Sequence, residues 1–214
     1  MKWIKTFSNS QITYYIYKLN KGDKILYKPN RIYSKSIIVL HGVIYLFKMF
    51  QNKDIFPLAI LSTNNIINLD YSYDTQHYYT IIALDRAYLI SYSLLDIKNK
   101  IYIKKQILIN IIYGQKSTLK QYELMNQILK HKYTKYRILQ LIFLLSLEFG
   151  VIHDNKIIIP FSLSQKNLSI ITGSNKITIN KIMNYLSRKT IIKYSTKKFI
   201  YIEDIFSLQL LFCY

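Results

Sequence analysis

The chain has 214 residues, half of them hydrophobic, which is enough for one large core or two small ones and excludes global disorder. Thirty Lys and Arg against eleven Asp and Glu leave a formal charge of +19, so a polyanionic partner is expected, nucleic acid ahead of an acidic membrane surface. A single cysteine, Cys213, excludes an internal disulfide, a Cys-based zinc site and an iron–sulfur cluster, and suits a reducing compartment.

The first fifteen residues carry no readable periodicity, and MKWIKTFSNSQ is too polar for a signal-peptide core. From Tyr15 to about Ile97, short β-rich runs alternate with polar turns. The expected strands are Tyr15–Leu19, Lys24–Tyr27, Ser36–Leu40, Val43–Met49, Phe56–Leu61, Tyr78–Ala83 and Ala87–Ser93. Gly22-Asp23, Pro29-Asn30, Gly42 and the run Gln51 to Asp54 supply turn signals. Strands at this spacing point to an antiparallel barrel or jelly roll. The enrichment in Ile, Lys, Asn and Tyr also follows A/T-rich codon usage, so part of the lysine excess reflects base composition.

From about Ile101 to Lys130 the character changes. Ile107, Ile111, Thr118, Tyr122, Met125 and Leu129 recur at steps of three, four or seven, which predicts one long amphipathic helix. That stripe is read as the seam of a parallel dimer, with packing on the chain's own barrel as the alternative. His131–Tyr136 is a basic joint. Ile138 to Phe149 reads as a largely buried helix ended by Gly150 as a C′ residue. Its apolar run is broken by Gln140 and is far shorter than a membrane span, so no membrane partner is expected. Asp154-Asn155 makes a turn, and Lys156–Ile159 is a short strand stopped by Pro160.

The stretch from Leu163 to Ser187 reads as a helix-turn-helix. Ser164 caps a first helix to about Thr172, Gly173 breaks it, and Ser174 caps a second helix to about Leu186. Ile179, Ile182, Met183 and Leu186 form the core-facing stripe of the second helix. Its opposite face carries Ile177, Asn180, Lys181 and Asn184, with Lys176 at the edge, a face suited to a DNA major groove. Ile191–Tyr194 and Phe199–Ile202 follow as a hairpin with Lys197 and Lys198 at its tip. In this position it reads as a wing whose lysines reach phosphates. Charge alone does not single out this region: nine Lys and Arg face two acids from Asn155 onward, and twenty-one face nine before it.

Barrel, long helix, buried helix, helix-turn-helix and wing in this order resemble the catabolite activator/fumarate-nitrate regulator (Crp/Fnr) superfamily. The run through Glu148-Phe149-Gly150-Val151, Ile157–Leu163, Ser164-Gln165, Gly173-Ser174, Ile177-Thr178-Ile179, Leu186 and Lys197-Lys198 resembles the global nitrogen regulators of the NtcA group. Within that group it is most similar to the divergent copies encoded on red-algal plastid genomes. The resemblance implies an α+β fold with three parts. These are a cyclic-nucleotide-binding-like β-barrel over 1–100, a dimerisation helix over 101–132 and a winged helix-turn-helix over 133–214. It implies a homodimer on palindromic double-stranded DNA with GTA and TAC half-sites. Activation of nitrogen-assimilation genes through RNA polymerase and a plastid stromal location, or else the cytoplasm of a low-GC bacterium, are implied as well.

By the same resemblance, the DNA contacts fall on Ser164, Gln165, Lys166, Asn175, Lys176, Ile177, Thr178, Asn180, Lys181, Lys197 and Lys198. Base reading falls on Lys176, Ile177 and Lys181. Lys at the outer two lacks the bidentate fork of the family's usual Arg. Ser164 to Lys166 are positioning contacts to phosphate. The effector positions fall on Asn68, Leu69, His77 and Glu123, with the effector turn at Ile67-Asn68-Leu69-Asp70. Cyclic AMP is not expected, because Leu61 to Ala83 holds no Glu, Arg or Gly. For 2-oxoglutarate the two cations that a dianion needs are missing: one position carries His77, the other Thr118.

No catalytic motif is present. His41, His77, His131 and His153 do not cluster in ligand-type spacing, and HExxH, Walker A, GxSxG and GxGxxG are absent. An enzyme or a bound cofactor is therefore not expected. Beside the DNA-binding regulator stand a Crp-type regulator with no nitrogen role and a basic plastid protein that binds RNA or membrane surface without sequence specificity.

Overall fold

The computed structural model describes residues 2–28, 35–69, 77–98 and 105–211. The Pro29-Asn30 turn, Asp70, the expected helix start at 101–104 and Cys213 lie outside the described residues. The chain divides into two compact units, Met1–Met125 and Asn126–Tyr214.

The first unit opens with a helix, α1 (Lys2–Asn9), in the stretch that carries no readable pattern. Eight strands follow: β1 (Tyr14–Leu19), β2 (Lys24–Tyr27), β3 (Lys35–His41), β4 (Ile44–Phe50), β5 (Ile55–Leu61), β6 (Ile66–Leu69), β7 (His77–Ala83) and β8 (Ala87–Ser93). They form two antiparallel four-stranded sheets in the orders β1-β8-β3-β6 and β2-β7-β4-β5. One apolar core lies between the sheets, with Ile37, Val39, Ile67 and Leu89 from one and Leu46, Ala59, Leu61 and Ile81 from the other. The outer face of the first sheet is covered too. Ile38, Ile66, Ile90 and Tyr92 pack against Trp3 and Phe7 of α1 and against Ile107 and Ile111. Coverage on both faces is why β3 is buried without interruption from Ser36 to Val39 instead of alternating.

Among the strands of the first unit, β6 is the one the sequence pattern misses. Ile67, Asn68 and Leu69 are paired with Ile37, Ser36 and Lys35, so the expected effector turn is extended backbone over these three residues.

After a short helix, α2 (Leu94–Lys98), comes the long helix α3 (Lys105–Lys130). At ~1.5 Å per residue its length is about 39 Å. The stripe read as a dimer seam has another role. Ile107 and Ile111 belong to the cluster over the first sheet, and Tyr122 packs on the core between the sheets. Thr118 is buried, its Oγ1 accepting the backbone N–H of Ile66 at 2.9 Å and donating to Gly114 O at 3.0 Å. From Ile107 to Tyr122 the expected seam is the barrel-facing side.

The second unit contains α4 (Thr134–Phe149), the hairpin strands β9 (Val151–His153) and β10 (Lys156–Ile158), α5 (Gln165–Thr172), α6 (Lys176–Arg188), β11 (Ile192–Tyr194), β12 (Ile200–Ile202) and α7 (Ile205–Leu210). Ile138, Leu139, Leu141, Ile142 and Leu145 of α4 are buried, as are Leu168 and Ile171 of α5 and Ile179, Met183 and Leu186 of α6. Gly150 is extended, at φ −60° and ψ 136°, not left-handed. A Cβ there would stand 2.1 Å from Ser146 O and 2.5 Å from Ile157 Cγ2, so close approach, not backbone sign, requires the glycine. The wing is larger than a hairpin. Its two strands extend into one four-stranded sheet, β11-β12-β10-β9.

Candidate nucleic-acid interface

The helix-turn-helix is set by local capping. Ser164 Oγ accepts the backbone N–H of Asn167 at 3.0 Å and starts α5. Gly173 ends it in the left-handed region, at φ +58°, where a side chain would be strained. The cap of α6 is Asn175, one residue later than expected. Its Oδ1 accepts the backbone N–H of Ile177 at 2.8 Å. Ser174 Oγ instead lies within hydrogen-bond reach of Thr134 Oγ1 at 3.3 Å and Thr172 O at 3.2 Å. Arg137 bridges the same corner, donating to His131 O at 2.8 Å and Thr172 O at 3.1 Å. The turn between α5 and α6 is thereby fixed to the start of α4.

Four side chains at the start of α6 are exposed: Asn175, Lys176, Ile177 and Thr178. Asn180, Lys181 and Asn184 continue the same exposed side, while Ile179 and Met183 point to the core. Ile177 is 66% exposed, an aliphatic side chain among polar neighbours on this face. Asn180 has a structural tie, because its Oδ1 accepts Gln165 Nε2 at 2.9 Å. Its amide N–H groups are the donors that remain for another partner.

The wing closes a cleft against the two helix starts. Ser164, Gln165, Lys166, Lys176, Tyr194, Ser195, Thr196 and Lys198 line a space of about 600 Å³. The wing is held there by two hydrogen bonds. Tyr194 Oη donates to Leu163 O at 2.7 Å, and Leu163 N–H donates to Lys198 O at 2.9 Å. Burial raises the Tyr194 hydroxyl above its ordinary value, partly offset by the backbone N–H of Gln165, so the phenol stays protonated and keeps donating. Three ammonium groups, Lys166, Lys176 and Lys198, and no carboxylate line the cleft. Lys197 is exposed on the same wing turn but does not line the cleft. Tyr194, Ser195 and Thr196 are the lining residues that the sequence reading omits. Their signal was adjacency to the wing lysines, since a four-residue turn places its neighbours on the same rim.

The four effector positions do not share an environment. Leu69 belongs to the core between the sheets. Asn68 is exposed on β6, its Oδ1 accepting Ser36 Oγ at 2.9 Å. His77 is buried on β7, with ring centroids 6.0 Å from Phe50 and 5.2 Å from Tyr79. Glu123 is exposed on α3. Thr118, where the resemblance expects a cation, uses its hydroxyl to hold α3 on β6. Close by, burial and then Tyr79 push the Tyr122 hydroxyl up to about 12.

Among the described residues, no helix is long and apolar enough to cross a membrane, and no group of three His, Cys, Asp or Glu is placed to hold a metal.

No protein-family model matches the chain. It is 26% identical over 206 residues to the "Putative HTH-type transcriptional regulator ycf28" of Porphyra purpurea, covering 92% of this chain and 82% of that one. It is 21% identical over 179 residues to the global nitrogen regulator of Nostoc sp., covering 82% and 80%. A solved transcriptional regulator of the CRP/FNR family from Thermus thermophilus superposes with a TM-score of 0.66 at 18% identity, over 92% of this chain and 97% of that one. The barrel, long helix and winged helix-turn-helix expected from the sequence are therefore present, and the chain has the fold of the CRP/FNR transcriptional regulators and is similar in sequence to the global nitrogen regulators.

Proposed function

We propose that this protein is a sequence-specific DNA-binding transcription regulator, acting as a homodimer on a palindromic site. The observation that carries the reading is the lysine cleft beside the exposed start of α6. A helix with a polar face and one exposed aliphatic residue fits a major groove, where Ile177 meets a thymine methyl and Lys176 and Lys181 meet base-edge acceptors. Lys166 and Lys198, on the rims of the cleft, neutralise phosphates on either side of that groove. Two copies place two such helices on half-sites one helical turn apart. The similarity to global nitrogen regulators supports genes of nitrogen assimilation as targets; activation through RNA polymerase and a plastid setting belong to the same proposal.

The test is selection of duplexes from a random pool with the full-length protein, followed by affinity measurements on point-mutated sites. A palindrome should emerge, and each mismatched base pair should cost about 1–3 kcal/mol. Equal affinity for the selected duplex, random duplex and RNA of the same length would establish a non-specific basic binder instead. Calorimetry with 2-oxoglutarate on the same protein decides whether the barrel senses it. The use of Thr118 as a structural tie supports an outcome of no heat.

A further inference from the structure

Beside the apolar cluster that α1 covers on the first sheet lies a cavity of about 730 Å³. Trp3 and Ile4 of α1, Ile16 of β1 and Leu40 of β3 give it an apolar wall. The volume falls within the range of small-molecule pockets, roughly 300–1,000 Å³. It is distinct from Asn68, Leu69, His77 and Glu123, none of which lines it.

The polar part of the lining is specific. It consists of the His41 imidazole, the Thr63 hydroxyl, the Asn64 amide and the Tyr88 hydroxyl, with no acid among them. Tyr88 brings a cation: Arg86 Nη2 donates to its Oη at 2.6 Å, and the guanidinium carbon stands 5.4 Å from the Tyr88 ring centroid. A guanidinium has five N–H donors in a planar fork, and this bond uses one. Arg86 does not itself line the cavity and reaches it only through the Tyr88 hydroxyl. An open, mainly apolar pocket with a guanidinium one hydrogen bond behind its wall suits a ligand with a hydrocarbon body and one carboxylate.

The cavity also touches the element that holds α3. Trp3 Nε1 donates to Asn64 Oδ1 at 3.2 Å, and Asn64, at φ +72°, lies in the loop between β5 and β6. The next residue, Asn65, donates from Nδ2 to Ser117 Oγ at 3.0 Å, and Ile66 N–H reaches Thr118 Oγ1. One short loop is thus both cavity wall and anchor of the long helix.

We propose that this cavity is a binding site for a small, mainly apolar carboxylic acid, with its body against Trp3, Ile4, Ile16 and Leu40 and its carboxylate toward Arg86. The claim does not depend on what the second unit binds.

Trp3 is the only tryptophan of the chain, so its emission reports directly on the cavity wall. The probe is 4-phenylbutyrate, titrated into the full-length protein and followed by Trp3 emission and by calorimetry. The neutral 4-phenylbutyramide serves as the control of equal shape. The acid should give a saturable change in both signals, and the amide should bind at least tenfold more weakly. Arg86→Gln should bring the acid to the level of the amide while leaving the amide unchanged. Ile16→Gln, at a half-exposed position, should weaken both. Absence of saturation in both signals, or equal binding of acid and amide, overturns the proposal. So does acid binding that neither substitution alters. If a variant fails to fold, the comparison of acid with amide on the unaltered protein still decides.

Discussion

The closeness of α3 to the barrel depends on one missing methyl group. A Cβ on Gly114 would stand 2.5 Å from Ile66 Cγ1, 2.6 Å from Ile66 Cδ1 and 2.8 Å from Asn64 O. In an open helix, Gly→Ala stabilises by about 1 kcal/mol through backbone entropy. Here the sign reverses. The Ile66 side chain can turn aside, but the Asn64 carbonyl cannot move without disturbing the Asn65–Ser117 and Ile66–Thr118 hydrogen bonds. Gly114→Ala should therefore destabilise by about 1–3 kcal/mol in thermal or urea unfolding, the usual range for overpacking. A rise in melting temperature would mean that the loop gives way. At Thr118 the shape can be kept while the hydrogen bond is removed. Thr118→Val leaves the Ile66 N–H buried without its acceptor, at a cost of about 1–3 kcal/mol, whereas Thr118→Ser should retain most of the wild-type stability. Equal stability of the valine and serine variants would show that this bond contributes nothing. The sequence showed a lone glycine in a helix and a threonine in place of an expected cation. It did not show why, because the partners lie about fifty residues away on another element.

At the scale of elements, periodicity finds an apolar stripe but not what covers it. Ile107, Ile111 and Thr118 do recur as a helix should, yet they face the barrel. The face left outside includes Leu108, Ile112 and Leu119, exposed at 44%, 61% and 59%, with Gln115 between the last two. Steps of four, three and four residues match the a and d positions of a parallel coiled coil, and the exposed Asn126 continues the repeat after Leu119 by one heptad. A second copy of α3 is the covering that this pattern suits. Ile112→Lys combined with Leu119→Lys should convert a dimer to a monomer in sedimentation equilibrium while leaving the melting of the barrel within a few degrees. A dimer that survives both lysines would place the interface elsewhere. Other elements were legible to different depths. Ala87–Ser93 and Lys24–Tyr27 are found as expected, the latter because Gly22-Asp23 and Pro29-Asn30 bracket it. β6 was not: Ile66–Leu69 is too short to show alternation, and with Ile66, Ile67 and Leu69 all buried it has none. For α6, Ser174 and Asn175 are both good caps; Asn175 takes the role, extended at φ −73° and ψ 138°, while the Ser174 hydroxyl is engaged with Thr134 and Thr172.

For the whole molecule, a charge of +19 attracts any polyanion, so affinity alone does not tell a built interface from a diffuse one. Salt dependence does. Each phosphate contact releases counterions and steepens the plot of log affinity against log salt by about 0.9 on duplex DNA. If Lys166 and Lys198 each touch one phosphate per subunit, then Lys166→Ala or Lys198→Ala should flatten the slope of a homodimer by about 1.8, uniformly across DNA sequences. Lys176→Ala should act differently. As a base contact it should relax discrimination at one position of each half-site, by about 1–3 kcal/mol against the preferred base pair, with a smaller change in slope. Lys53→Ala, an exposed lysine of the other unit, is the control and should change neither quantity. Were all four substitutions to flatten the slope equally, the charge would be acting as a cloud and the cleft would have no special part. A large effect at Lys166 and Lys198, base selectivity at Lys176 and silence at Lys53 would locate the nucleic-acid interface on one corner of a chain that is basic almost everywhere.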